Sequence, residues 1–204
     1  MGTIFIAGAY GVGKSTIAKA LSTRLSIPSY SASKIISQVN GEDYTNTKIV
    51  KDKYRNQDIL TVSVGQLLNE FSKIILTGHF CIVNKSNEIE RLPQDVYQKL
   101  SIEHILLLEA TPTNIVQNLN NRDGVLYDIP FIESLLQEER CFAEEVSNIL
   151  SCPLIIHQMN YATRHYSHRC CFFRRFFRSF VYRTSRHDYC RKVLHHQPQK
   201  HLKH

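Results

Sequence analysis

The sequence lacks several things, and each absence narrows the reading. No stretch of its 204 residues approaches the roughly 18 consecutive apolar positions of a membrane span. Met1 to Ile6 carry no basic segment ahead of an apolar run, so no secretory leader is expected. The six cysteines (Cys81, Cys141, Cys152, Cys170, Cys171 and Cys190) follow no framework spacing. A chain this long buries enough surface to fold without cross-links, so reduced thiols and a cytoplasmic setting are expected. There is no internal repeat. With 43% hydrophobic and 21% charged residues, the composition is that of an ordinary globular domain.

Acidic residues and glycine are missing from one end only. Residues 161–204 hold 11 Lys+Arg, one acid (Asp188), seven of the ten histidines and no glycine. Residues 1–160 hold 14 Lys+Arg against 17 Asp+Glu. The formal charge of +7 is therefore the sum of a mildly acidic body and a strongly basic tail. The break divides the chain into a domain over 1–160 and an extension over 161–204.

Within the body, strand and helix signals alternate. Thr3–Ile6, Ile27–Tyr30, Lys73–Thr77, His104–Glu109 and Leu154–His157 are short apolar runs bounded by Gly, Pro or polar residues, and read as strands. Ile17, Leu21 and Leu25 mark one face of a helix over Thr16–Leu25. A helix capped by Ser31 or Ser33 runs through Val39, and another spans Ile59–Phe71. Thr111-Pro112 supplies an N-cap and a proline at the first helical position, opening a helix to about Asn120. Pro130–Leu150 is a long amphipathic helix. This alternation predicts an α/β fold, a parallel sheet covered on both faces.

The strongest motif is Gly8-Ala9-Tyr10-Gly11-Val12-Gly13-Lys14-Ser15, lying between a predicted strand and a predicted helix. Its glycines let the backbone curl so that successive N–H groups point at phosphate oxygens, and the helix N-terminus adds the positive end of its dipole. Lys14 is expected to reach the β- and γ-phosphates of ATP, Ser15 to ligate Mg²⁺, and Thr16 to supply a second hydroxyl.

The order of features that follows extends this reading. Thr77-Gly78-His79-Phe80 comes about 60 residues after the loop. A polar excursion, Arg91-Leu92-Pro93, the strand Ile105–Glu109, Asn121-Arg122-Asp123 and Gln137-Glu138-Glu139-Arg140 come next. Over residues 1–158 the chain resembles the compact, archaeal-type adenylate kinases and the small nucleotide-kinase-like ATP-binding proteins related to them. The resemblance implies a three-layer P-loop NTPase fold with a five-stranded parallel sheet, an acceptor arm and a short arginine-bearing lid. It implies transfer of the ATP γ-phosphoryl group to a nucleoside monophosphate or another small acceptor. Arg122 falls at the lid arginine, and Arg140 at a further phosphate-facing arginine; its other reading is a surface ion pair with Glu144. Arg55 lies in the presumed acceptor arm, and His79 just past a strand's carboxyl end, where sites in such sheets form. Both are candidate acceptor-binding residues.

One position departs from the family. The third strand there usually ends in an aspartate that orients Mg²⁺; here it ends in the neutral Thr77, with Glu109 on the next strand as a stand-in. The alternative function is therefore a regulatory ATPase that controls a partner protein without phosphorylating an acceptor. In the tail, Phe173, Phe176, Phe177 and Phe180 recur at helical spacing opposite Arg174, Arg175 and Arg178. That pattern suits an anionic membrane surface or single-stranded nucleic acid. His165, His168, Cys170, Cys171, His187 and Cys190 fit no common zinc module. The abrupt shift in composition equally fits translation in a shifted frame or an unselected extension.

Overall fold

The computed structural model describes residues 1–41, 53–84, 86–124, 127–159 and 161. The readings made for the tail and its histidine and cysteine set lie outside them. Apart from Tyr161, the described residues belong to the compact unit Met1–Asn160.

The centre of the fold is β1 (Gly2–Ala7), every residue of which is buried. A continuous Thr-Ile-Phe-Ile-Ala run has no polar face to leave in water, so it suits only a strand covered on both sides. Elements follow in the order α1 (Lys14–Leu25), β2 (Ser29–Ser31), α2 (Ala32–Asn40), α3 (Lys53–Glu70) and β3 (Lys73–Thr77). Then come β4 (Cys81–Val83), β5 (Ile89–Arg91), α4 (Gln94–Lys99), β6 (Ile102–Glu109), α5 (Pro112–Asp123), α6 (Ile129–Leu150) and β7 (Leu154–Gln158). The five main strands form one parallel sheet in the order β2-β3-β1-β6-β7. The expected α/β architecture is therefore present, with all five strand signals in one sheet.

Helices bury the faces that their periodicity marks. α1 buries Ile17, Ala18 and Leu21, and α6 buries Ile132, Leu135, Phe142, Ala143 and Val146. Phe5, Phe80, Tyr97 and Phe142 pack edge-on or tilted, with ring centroids 4.9–6.0 Å apart. Each such ring, fully buried, contributes roughly 1.5–3 kcal/mol. This cluster joins β1, α4 and α6 beneath the end of the sheet where β1 and β3 terminate.

Several boundaries differ from the sequence reading. β2 is Ser29–Ser31, because Ile27 still donates its N–H to the Ser22 carbonyl of α1 and the Pro28 carbonyl accepts from Ile75. α3 begins at Lys53, six residues before the apolar spacing becomes legible. α5 continues to Asp123, where Gly124 in a left-handed conformation ends it. Ser31 occupies the N-cap of α2 without a side-chain cap bond; its hydroxyl meets that of Ser33 at 2.9 Å. The polar excursion contains elements not foreseen: β4 and β5 form an antiparallel hairpin, and α4 follows. Asn84 builds the hairpin turn by accepting from the N–H groups of Ser86 and Glu88. Arg91 pins the hairpin to α6 through Glu138 and Glu145. Among the described residues no helix is long and apolar enough to cross a membrane.

Candidate phosphate-binding site

The loop between β1 and α1 is shaped by three glycines with positive φ: Gly8 at 138°, Gly11 at 78° and Gly13 at 92°. Side chains rarely adopt these conformations. At Gly8 space also decides, since a Cβ there would lie 2.3 Å from the Leu108 carbonyl oxygen at the end of β6. Gly13 is the N-cap of α1, and its carbonyl accepts from Thr16 and Ile17. The helix thus begins at Lys14, with its N-terminus opening onto the loop.

Lys14 folds back across this curl. Its Nζ donates to the carbonyls of Gly8 at 2.7 Å and Ala9 at 2.9 Å, and lies 6.0 Å from the centre of the Tyr10 ring. The ammonium therefore sits over the concave backbone. Ser15 and Thr16 are exposed at the head of α1, whereas Gly8, Ala9 and Val12 are buried. Asn118 on α5 donates to the Gly11 carbonyl at 3.0 Å and holds the loop from the other side.

The Tyr10 ring stacks on His79, with centroids 4.1 Å apart and planes inclined by 36°. Burial raises the Tyr10 phenol far above its ordinary value, with the Glu139 carboxylate adding to the effect. Burial, then the Lys14 ammonium, lowers His79 to about 4, partly offset by Glu139 and the Gly8 carbonyl. The ring is therefore a neutral imidazole at neutral pH.

The structure thus brings His79 to the loop through Tyr10. Arg140 has an ion-pair partner that the sequence did not suggest. Its guanidinium grips the Glu109 carboxylate with two nitrogens, Nε donating to Oε1 at 2.7 Å and Nη2 to Oε2, instead of the Glu144 partner considered from sequence. Glu109, the stand-in considered for Thr77, is thus paired with Arg140. Thr77 ends β3 in register with Ile6 of β1 and Ser31 of β2. It is buried, and its hydroxyl points to the Tyr30 carbonyl at 3.4 Å. Arg122 is exposed in the last turn of α5. Arg55 is exposed in the first turn of α3.

Two residues at the site escaped the sequence reading. Asn118 carries no motif signal. Glu139 did carry one: it follows Leu135 by four and precedes Phe142 by three, on the apolar face of α6. It is 1% exposed and accepts N–H bonds from Phe80 and Cys81. Its place within the charged run Gln137–Arg140 hid it.

Comparison with known proteins bears on the family and the fold. Residues 7–133, more than half of the chain, match the family AAA_17, an AAA domain. No curated protein matches the sequence. Among solved structures, the chain is similar to a shikimate kinase from Acinetobacter baumannii in complex with shikimate. That likeness has TM-score 0.51 and 15% identity, and covers 78% of this chain and 86% of that one. It is also similar to a deoxyadenosine kinase from M. mycoides with bound dATP, at TM-score 0.51 and 14% identity, covering 86% and 99%. A putative kinase from Chloroflexus aurantiacus gives TM-score 0.50 and 15% identity, covering 87% and 96%. At these identities the likeness is one of fold, and it is to P-loop kinases of small molecules in general, not to adenylate kinases in particular. A matching family over the loop and most of the body, and the likeness in fold to these kinases, lead to one conclusion: the chain belongs to the AAA domain family and has a P-loop kinase-like fold.

Proposed function

We propose that the chain binds ATP with Mg²⁺ at Gly8–Thr16 and transfers the γ-phosphoryl group to a small-molecule acceptor, a nucleoside monophosphate being the first class to test. The observation that carries this reading is Lys14, held at the head of α1 over three positive-φ glycines by two neutral carbonyls. Phosphate oxygens are stronger acceptors than carbonyls for an ammonium. Lys14 therefore exchanges partners on nucleotide arrival without leaving its place. The exposed Ser15 hydroxyl at the first turn fits a metal ligand, and Thr16 stands beside it. Mg²⁺, when bound, supplies charge that the migrating phosphoryl group needs. Tyr10 and His79 lie against one side of the loop, and Arg55 and Arg122 are the candidates for acceptor and lid contacts. A cytoplasmic setting, where ATP is at hand, belongs to the same reading.

A second reading rests on specific observations. Thr77 offers no charge to Mg²⁺, and the Arg140 guanidinium is already paired with Glu109. Both favour a regulatory ATPase acting on a partner protein. Incubation of the full chain with γ-labelled ATP, Mg²⁺ and a panel of nucleoside monophosphates and small hydroxyl acceptors separates the two. Label on an acceptor supports the kinase. Free labelled phosphate with every acceptor unlabelled supports the ATPase and overturns the kinase reading.

A further inference from the structure

A carboxylate in the middle of a buried helix face needs a reason, because burying a charge is costly unless it is well paired. Glu139 sits on α6 between Leu135 and Phe142 and is 1% exposed. Among the described residues its hydrogen-bond donors are a turn of backbone. The Phe80 N–H lies 3.2 and 3.1 Å from its two oxygens, and the Cys81 N–H lies 3.2 Å from Oε1. These residues leave the carboxyl end of β3 beside the phosphate loop, where an apolar residue in place of Glu139 would strand two buried amides.

The same oxygen faces His79 Nδ1 at 3.4 Å, an approach that makes no aligned hydrogen bond and leaves that nitrogen unsatisfied. On its other side the imidazole meets the Gly8 carbonyl. A neutral imidazole has one N–H to offer, and two acceptors, one on α6 and one in the loop, compete for it. The His79 carbonyl accepts from the Tyr97 hydroxyl at 2.9 Å, which fixes the turn from below. The Tyr10 ring lies on the His79 ring, and the Tyr10 hydroxyl meets the Val83 backbone in β4.

We infer that Glu139 is a positioning residue of the nucleotide site, setting the backbone of residues 79–81 and the plane of His79 so that Tyr10 and the phosphate loop keep the curvature that triphosphate binding requires. This rests on the ATP-binding reading above. Glu139 touches no substrate; it acts through His79 and Tyr10.

The test is calorimetric titration of ATP with Mg²⁺ into the full chain, its Glu139→Gln and His79→Ala variants, and the double variant. Glu139→Gln keeps the shape and one acceptor oxygen but loses the charge. It is expected to melt cooperatively and to bind ATP about tenfold more weakly, the size of one lost charge-assisted hydrogen bond. Because both residues act in one chain of contacts, the double variant is expected to bind no worse than the weaker single one. Wild-type affinity in Glu139→Gln, or losses that add in the double variant, would overturn the inference while leaving the ATP-binding reading intact. A wild-type chain that binds no ATP removes the ATP-binding reading, and this inference with it. If Glu139→Gln does not fold, the wild-type chain decides through its NMR signals. The Phe80 and Cys81 amides and the His79 ring are expected to shift on saturation with ATP, and unmoved signals would overturn the inference.

Discussion

At the scale of single residues, Thr77 and His79 carry the sharpest consequences. Thr77 ends β3, where the resemblance implies a metal-orienting carboxylate, and its hydroxyl is turned to the Tyr30 carbonyl. Thr77→Asp places a negative charge there, expensive while buried and alone but offset when Mg²⁺ is present. Mg²⁺-dependent turnover is expected to rise in this variant while its melting temperature without Mg²⁺ falls. Unchanged rates and unchanged metal dependence in a folded variant would show that Thr77 does not face the metal. For His79 the sign follows from its folded value of about 4 against an ordinary value of 6.5. Above pH 6.5 neither folded nor unfolded chain holds the proton. As pH falls from 6.5 to 4, the unfolded chain takes it up and the folded chain does not, so stability declines across that window and then levels. Wild type should therefore lose more stability than His79→Asn over that interval; parallel melting profiles would contradict the burial assigned to this ring. His79 was legible in the sequence only as a position past a strand end. Its carboxylate neighbour was not legible, because nothing in a run of charges announces which one turns inward.

At the scale of elements, the loop and its flanking strand and helix were the most legible part of the chain. Each glycine of the motif has a conformational reason, and the apolar runs on either side match their burial. Gly8 allows the cleanest check. Gly8→Ala combines an unfavourable φ of 138° with a Cβ 2.3 Å from a backbone oxygen that cannot swing away. Gly41→Ala adds a Cβ at φ 67° with nothing within 4 Å, and is expected to cost only about 1–2 kcal/mol. Thermal melts should show a clearly larger loss for Gly8→Ala than for Gly41→Ala. Equal losses would mean that the loop does not pack against the end of β6. The hairpin β4–β5 and α4 were illegible for a different reason. Their signals are three-residue strands and a six-residue helix, too short for periodicity, and they hold through long-range bonds such as Arg91 to Glu138 and Glu145. Strand ends failed similarly: β2 starts late because Ile27 is spent on terminating α1.

At the scale of the whole molecule, the sheet, the phosphate loop and the aromatic cluster all lie within Met1–Asn160. A chain ending at Asn160 is therefore expected to keep its cooperative melt and its ATP affinity. A core of this size supplies the roughly 5–15 kcal/mol of a typical domain. If the shortened chain fails to fold, or its ATP affinity collapses, residues 161–204 belong to the core and not to an extension. The sheet order was legible only as a class, since apolar runs announce strands but not their neighbours, and only the paired registers place β1 between β3 and β6. The central claim is that the curl between β1 and α1 holds a triphosphate under Lys14, and one titration reaches it most directly. ATP with Mg²⁺ is titrated calorimetrically into the full chain and into Lys14→Ala. Saturable one-site binding is expected in the wild type, weakened in the variant by about 1.5–3 kcal/mol, or roughly 10- to 150-fold. Absence of binding by the wild type, or equal affinity in the two, would contradict the account.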